Sequence, residues 1–385
     1  MAVYLDNSAT TRPAESVIAA MAEAMRMHYF NASAAYGPAV EVEKSIDSCR
    51  GEILSALHAK NAQVVFTSGG TESDNLAILG TAQLQRKPMR FLYSAIEHPA
   101  VTQAMAEVAR LGHDVREIPV TREGLVDLVA LEGLLSEETA LVSCMHVNNE
   151  TGAIQPLGAI HELIRQHAPK ALFHVDGVQG FLRVPLHFDA LGIDFYAISA
   201  HKIHGPKGVG ALVMRKGTRL KPQMLGGGQE NGQRSTTYNS PGIIGLGEAV
   251  RTYQALEAPL EKMRALKAQL YALLTQGDPA IVVNGPAPQS ENSAPHILNV
   301  SFPGVRGEVL LHALEGEGIY VSTGSACSSH KMKASGVLAK MGITGERAQG
   351  ALRVSLSPYT TQDEINQCAR AMLACYAQLK PFRRR

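Results

Sequence analysis

The sequence of 385 residues predicts an α/β protein, with a larger domain built on a mostly parallel sheet and a smaller α+β domain after it. Three observations predict this. Strand and helix signals alternate through the first two-thirds of the chain. Residues 141–147, Leu-Val-Ser-Cys-Met-His-Val, are a nearly continuous apolar run, as expected of a strand buried on both faces. From about residue 241 the texture changes to a long helical stretch rich in Ala, Leu, Glu and Lys.

The elements follow in order. A helix is predicted over residues 14–28, where Val17, Ile18, Met21, Met25 and His28 share a face. Gln63 to Phe66 reads as a short buried strand, and residues 67–71, Thr-Ser-Gly-Gly-Thr, turn from it into a helix carrying Leu76, Ile78 and Leu79. Residues 90–93 form the next strand and 100–111 the next helix. Strands at 171–175, 195–198 and 209–214 continue the pattern. The long helical stretch runs to about Leu274 and acts as a hinge. A strand at 297–302, a helix at 308–315, a strand at 351–356 and a last helix at 362–378 complete the chain. The larger domain is expected over residues 12–255, and the smaller over 1–11 with 256–385.

Composition excludes several classes. Hydrophobic residues are 45% and charged residues 18%, which excludes a disordered, collagenous or coiled-coil chain. Thirty-six basic against 35 acidic residues leave a charge of +1, so no global field draws the protein to nucleic acid or a membrane. Arg383 to Arg385 read as a solvated end. The five cysteines lack a C-x-x-C pair, which argues against a disulfide framework and a structural zinc site. His201 and His204 have no acidic or cysteine cluster to match them, so no metal site is expected. No apolar run approaches the ~20 residues that span a bilayer. The N-terminus has neither a basic region nor an apolar core, so a cytoplasmic protein with free thiols is expected.

Five segments carry candidate chemistry. Residues 68–72, Ser-Gly-Gly-Thr-Glu, open a helix after a strand. Gly70 and Thr71 there can present N–H groups and a hydroxyl to an anion, or simply form a capped turn. No Walker Lys-Ser/Thr pair follows, so this is not an ATP loop. His98, in Glu97-His98-Pro99, is either a histidine at a helix start or an aromatic face for a flat cofactor. Asp176 ends an apolar strand. A carboxylate buried there calls for a cationic partner, such as a protonated pyridine nitrogen, unless it caps a helix. Gln179 can reach the same ligand. Residues 199–210 place Lys202 after a strand, between His201 and a Gly-Pro-Lys-Gly turn. Such a lysine can lose its proton and form a Schiff base, with Ser199 and His201 as phosphate donors. Finally, Cys327 lies in a run of small polar residues, 322–330, as an exposed reactive thiol or an incidental one.

In these motifs the chain resembles the cysteine desulfurases of the NifS/IscS type, within the class V aminotransferases of pyridoxal-phosphate (PLP) fold type I. The likeness runs nearly end to end. It rests on Tyr4-Leu-Asp-Asn-Ser-Ala-Thr-Thr11, Thr67-Ser-Gly-Gly-Thr-Glu-Ser73, His146-Val-Asn-Asn-Glu-Thr-Gly152 and Ser199-Ala-His-Lys202. Gly226-Gly-Gly-Gln-Glu230, Gly324-Ser-Ala-Cys327 and Arg353-Val-Ser-Leu356 extend it.

The resemblance implies a PLP-dependent enzyme that converts L-cysteine to L-alanine and carries the sulfur as a persulfide. It implies that Lys202 forms the Schiff base with PLP, that Asp176 pairs with the pyridine nitrogen, and that His98 stacks on the ring and shuttles protons. Gln179 would meet the phenolic oxygen, and Asn149 would lie by the ring and substrate. Gly70, Thr71, Ser199 and His201 would hold the phosphate, and Thr237 would reach the phosphate of a neighbouring subunit in a homodimer. Arg353 would clamp the substrate carboxylate, and Cys327 would take the sulfur for an acceptor such as an iron–sulfur scaffold protein. A selenocysteine lyase or another class V enzyme is the alternative; an aminotransferase would have no use for the Cys327 loop. The chain departs from the family at Phe30-Asn31-Ala32, where Gly-Asn-Pro is common, and at Thr236, where Gly is common. It also lacks the longer C-terminal tail of some members.

Overall fold

The computed structural model describes residues 2–323 and 335–382. A short strand, β1 (Val3–Tyr4), precedes helices α1 (Glu15–Met27) and α2 (Gly37–Ala56). Strands and helices then alternate: β2 (Ala62–Thr67), α3 (Gly70–Ala82), β3 (Arg90–Ser94), α4 (Pro99–Arg110), β4 (Asp114–Ile118), α5 (Leu128–Leu134), β5 (Thr139–Ser143), α6 (Leu157–His167), β6 (Leu172–Asp176), β7 (Phe195–Ser199) and β8 (Gly210–Arg215). These strands form one sheet in the order β2-β8-β7-β6-β5-β3-β4. Strand β8 is antiparallel to both neighbours, and the other pairings are parallel. The central strands β5 and β7 are buried along their whole length, as a sheet covered on both faces requires. The apolar run from Leu141 is strand only to Ser143. Beyond it, Cys144 and His146 still hydrogen-bond to the carbonyls of His174 and Asp176.

Helices α7 (Ser240–Gln254) and α8 (Pro259–Gly277) occupy the stretch where one long helix is expected. Pro259 has no N–H to donate and its ring clashes with a preceding helical turn, so the chain breaks there, with Ala258 in the left-handed region at φ 43°. The break separates two cores. Ile243, Leu246 and Val250 of α7 join the core under the large sheet. Met263, Leu270 and Leu274 of α8 join a second core with Val3, Leu5 and residues up to Tyr376. The chain continues through β9 (Val282–Val283), β10 (Ile297–Ser301), α9 (Gly307–Gly316), β11 (Ile319–Tyr320), α10 (Gly336–Lys340), α11 (Gly345–Gln349), β12 (Ala351–Ser355) and α12 (Gln362–Leu379). All but α10, α11 and β9 bury residues in the second core, while Val337 and Leu338 of α10 and Ala348 of α11 cluster with Ile96 and Met145. Strands β12, β10 and β9 form an antiparallel sheet, and β1 pairs parallel with β11. A capping box at Thr361 and Glu364 starts α12.

Two further expectations change. The predicted apolar face of α1 is displaced: Val17 and Ala24 are buried, whereas Ile18 and Met25 are 45% and 59% exposed, and His28 is only the C-cap. The reason is the glycine face of α7. A Cβ at Gly245 would lie 2.7 Å from Met21 Cγ, so α1 is drawn in on the Val17–Met21–Ala24 stripe. Helix α2 is not foreseen at all, although Val42, Ile46, Cys49 and Ile53 line its buried side at helical spacing. Among the described residues, no helix is long and apolar enough to cross a membrane.

Candidate active site

The C-terminal ends of β2, β3, β5, β6 and β7 lie on one edge of the large sheet, where an open α/β fold binds ligands. After β2 the chain turns into α3. A Cβ at Gly70 would lie 2.5 Å from Val178 Cγ2, and one at Gly210 would lie 2.7 Å from Gly69 Cα. Glycine at these positions lets three segments close around the first turn of α3, whose N–H groups have no partner inside the helix. A Cβ at Gly69 would sit 3.8 Å from Ser199 Oγ, so the Ser199 hydroxyl borders this cradle, and Thr71 is exposed on the same turn. The dipole of the 13-residue helix and these donors suit an anion. Glu72 serves the turn instead: its carboxylate accepts from Ser68 N–H and pairs with Arg234 at 2.7 Å. Burial opposes its ionisation, yet these hydrogen bonds hold its carboxyl below the usual range.

Asp176 ends β6, and Lys202 lies in the short 3-10 turn, residues 200–202, that follows the adjacent strand β7. Asp176 is buried, and its Oδ1 accepts from Val178 N–H at 3.0 Å. Burial pushes its carboxyl up, while His98, that hydrogen bond and Lys202 pull it down. Lys202 Nζ donates to the carbonyls of Ser8 and Ala9, at 2.5 and 2.8 Å. His98 caps α4: its Nδ1 accepts from Ala100 N–H at 3.1 Å, which leaves Nε2 as the atom free to exchange a proton. Of the two readings of His98 from sequence, the structure shows the histidine at a helix start. Burial holds its pKa below the usual value, with Asp176 opposing and Lys202 assisting. His201 donates to or accepts from Thr10 Oγ1 at 3.0 Å, and burial, with Lys202 next, lowers its pKa to about 4.

Other expected residues are held differently. Gln179 has both ends of its amide engaged, donating to Ser8 O at 2.9 Å and accepting from Arg183 at 3.0 Å. Arg353 is 3% exposed; its Nη2 contacts Asp6 Oδ1 at 2.7 Å and its Nη1 donates to Asn149 O at 2.9 Å. Asn149 therefore meets Arg353 through its backbone, while the neighbouring Asn148 side chain organises the loop by accepting from Glu150 and Thr151 N–H. Thr237 is exposed, on a segment anchored by Arg234–Glu72 and by a bidentate Arg50–Glu230 pair. Cys327 lies outside the described residues.

Sequence reasoning missed three contributors. The segment Asp6 to Thr11 crosses the site and touches Arg353, Lys202, Gln179 and His201; its motif was visible, but not its role. Glu97 is buried, bonded by Ser94 Oγ and Met145 N–H, and burial raises its pKa to about 8. Behind Asp176, Ser143 Oγ lies 2.8 Å from His174 Nδ1, and His174 Nε2 lies 3.3 Å from Asp74 Oδ1 without hydrogen-bond alignment. Burial lowers the His174 pKa to about 3 and, with the charges of Asp176 and Glu97, raises that of Asp74.

An amine, a buried carboxylate and a helix N-terminus are groups that can hold an aldehyde, a basic ring nitrogen and a phosphate. The aminotransferase class-V family matches residues 3–368. The chain belongs to the class-V aminotransferase family. Members of this family are PLP enzymes, and the glycine cradle and the buried Asp176 fit that cofactor. Within the family the similarity is to cysteine desulfurases. The chain is 38% identical to a cysteine desulfurase IscS of Dictyoglomus turgidum over 94% of this chain and 92% of that protein. It superposes on a solved NifS-like protein with a TM-score of 0.91 at 35% identity, over 98% of this chain and 100% of the other. A solved structure described as SspA in complex with cysteine is 30% identical with a TM-score of 0.82, covering 93% and 99%.

Proposed function

We propose that this class-V aminotransferase is a PLP-dependent cysteine desulfurase that releases L-alanine from L-cysteine and passes the sulfur on as a persulfide. The observation that carries this reading is a buried carboxylate, Asp176, at the end of β6 and an amine, Lys202, in the turn after the neighbouring β7, on the sheet edge that also holds a glycine-lined helix N-terminus. The similarity to cysteine desulfurases along nearly the whole chain supports it.

When bound, PLP supplies an electron sink that acidifies the substrate α-carbon and weakens the Cβ–S bond. The protein does the rest. Lys202 is the anchoring amine, and its Nζ then moves the α-proton. Asp176 would keep a positive charge on the ring nitrogen, and the α3 N-terminus with Gly70, Thr71, Ser199 and His201 would take the phosphate. His98 would cover the ring and exchange protons through Nε2. Gln179 would meet the phenolic oxygen, and Asn149 and Arg353 would hold the substrate. The Cys327 thiolate attacks the substrate sulfur: an S–S bond forms, the Cβ–S bond breaks, and its electron pair stays on carbon, which is protonated to give alanine.

Cys327 is the reasonable sulfur carrier because the other thiols are protected. Cys49, Cys144, Cys368 and Cys375 are buried, and burial pushes Cys49 and Cys368 up to about 12 and raises the other two. We place the enzyme in the cytoplasm as a homodimer. Met25, Met27, Tyr29 and Tyr36 are exposed on α1 and the segment after it, apolar surface that a second copy would cover, and in the homodimer Thr237 would reach the partner's phosphate site. An iron–sulfur scaffold or other carrier protein would accept the persulfide.

The test is to load the protein with PLP and supply L-cysteine and a thiol reductant. Sulfide and L-alanine should appear in equal amounts. Neither product, or alanine without sulfide, would overturn the reading, and a strong preference for L-selenocysteine would move it to the lyase.

A further inference from the structure

The motif Tyr4 to Thr11 is spelled out in the sequence, yet the reaction as derived uses none of its side chains. Its acidic member is placed with care. Asp6 forms a bridge with Ser355 as the chain leaves β1, two residues from Arg353 on β12. Its Oδ1 lies 2.7 Å from Arg353 Nη2, and the two side chains are 20% and 4% exposed. The neighbours of Asp6 are pinned. Asn7 Nδ2 donates to Ser355 O at 2.9 Å, and Ser8 N–H donates to Ser355 Oγ at 2.9 Å. The Ser8 and Ala9 carbonyls bind Lys202. The backbone at Asp6 thus has little freedom to withdraw its carboxylate. Among the described residues, the buried Nε of the guanidinium has no hydrogen-bond partner.

We propose that Asp6 is a specificity-determining residue: it occupies Arg353 in the ligand-free protein and restricts the site to amino acids that carry a single carboxylate. The inference rests on reading Arg353 as the carboxylate clamp. The charge count gives the reason. Arg353 and Asp6 together are neutral, so an incoming α-carboxylate leaves the seat with one net negative charge. A substrate with a second carboxylate raises that to two, beside a guanidinium that is only 4% exposed. Other titratable groups near Arg353 do not replace Asp6. Glu150 is bonded by Ser335 Oγ, and burial raises its pKa; burial also lowers the pKa of His296 well below its usual value. The arrangement also serves turnover. Asp6 neutralises a buried guanidinium between substrates, and it lowers the hold on the carboxylate of the product.

Asp6→Asn tests this, because the amide keeps an acceptor oxygen for Nη2 and removes the charge. In the PLP-loaded enzyme the KM for L-cysteine should fall by roughly fivefold, the scale of a partly screened charge contact. The inhibition constant of L-aspartate should fall further than that of L-alanine. Melting temperature gives a second readout that needs no turnover: L-aspartate should stabilise the variant but not the wild type. Asp6→Glu, which keeps the charge, should retain the wild-type discrimination. Asp6→Ser provides a second neutral variant should the amide fold poorly. A raised KM, or an unchanged aspartate-to-alanine ratio in both neutral variants, would overturn the proposal. The failures are separable. Absence of sulfide in every variant would refute the desulfurase reading, while the melting shifts would still decide the role of Asp6. L-Alanine should raise the melting temperature of the wild type, and a shift that survives Arg353→Lys unchanged would refute the clamp itself.

Discussion

Replacing Asp176 by asparagine should weaken the holoenzyme and strengthen the cofactor-free protein. The substitution is local, because the amide oxygen can still accept from Val178 N–H, which Asp176 Oδ1 does at 3.0 Å. What disappears is a buried charge. In the cofactor-free chain that charge is a burden: burial raises the carboxyl above its usual value, with His98 and Lys202 only partly offsetting it. A raised acid destabilises the fold above its folded pKa, and the cost vanishes as pH falls towards the unfolded value. The cofactor-free variant should therefore melt above the wild type at mildly alkaline pH, and the two should converge as the solution is acidified towards the carboxylate range. With PLP the sign reverses. A hydrogen bond between a charged carboxylate and a ring N–H⁺ contributes about 1.5–3 kcal/mol, so PLP affinity should drop roughly 10- to 150-fold. Differential scanning fluorimetry across pH, with and without PLP, and a PLP titration followed by absorbance read both halves. Equal PLP affinity, or a cofactor-free variant that melts below the wild type at every pH, would refute the reasoning.

Other perturbations test separate parts of the structure. Arg50→Ala would strand the Glu230 carboxylate, whose side chain is 3% exposed, and should cost about 3 kcal/mol in a urea melt; an effect under about 1 kcal/mol would show that Glu230 finds water. Lys267 is buried, donating to Ser293 Oγ and Ala294 O, and burial lowers its pKa to about 7. A base depressed in the fold gains stability as pH rises from its folded to its unfolded pKa, so the difference in melting temperature between wild type and Lys267→Met should move in favour of the wild type as pH rises above about 7. A pH-independent difference would count against a depressed lysine. After exposure to L-cysteine, peptide mass spectrometry should find one added sulfur on Cys327 and none on Cys49, Cys144, Cys368 or Cys375. Sulfur on one of those buried thiols would move the nucleophile there.

Local patterns carried much of the fold. The alternation of short apolar runs with helices predicts the parallel sheet, because a strand covered on both faces must be apolar on both. Motif order identified the family, and it named Lys202, Asp176 and His98, which the fold brings to one edge of the sheet. What failed was local too. The periodic apolar pattern of α1 did not say which stripe is buried, since that is decided by glycine on α7, more than 200 residues away. Helix α2 carried its signal unread. The single long helix was expected because propensity sums over a window, whereas one proline at 259 breaks it and sends α7 and α8 to different cores.

The sequence by itself determined which chemistry is available: an amine, a carboxylate and glycine turns, each at the end of an apolar run. Only the tertiary structure decided how those groups are poised. The charge of Asp176 depends on burial and on His98 and Lys202, which approach it from other strands and loops. The seat at Arg353 depends on Asp6, 347 residues earlier in the chain. The physical reason is that desolvation and ion pairing are set by what surrounds a group in space, and contacts between distant residues leave no trace in the local pattern of either one.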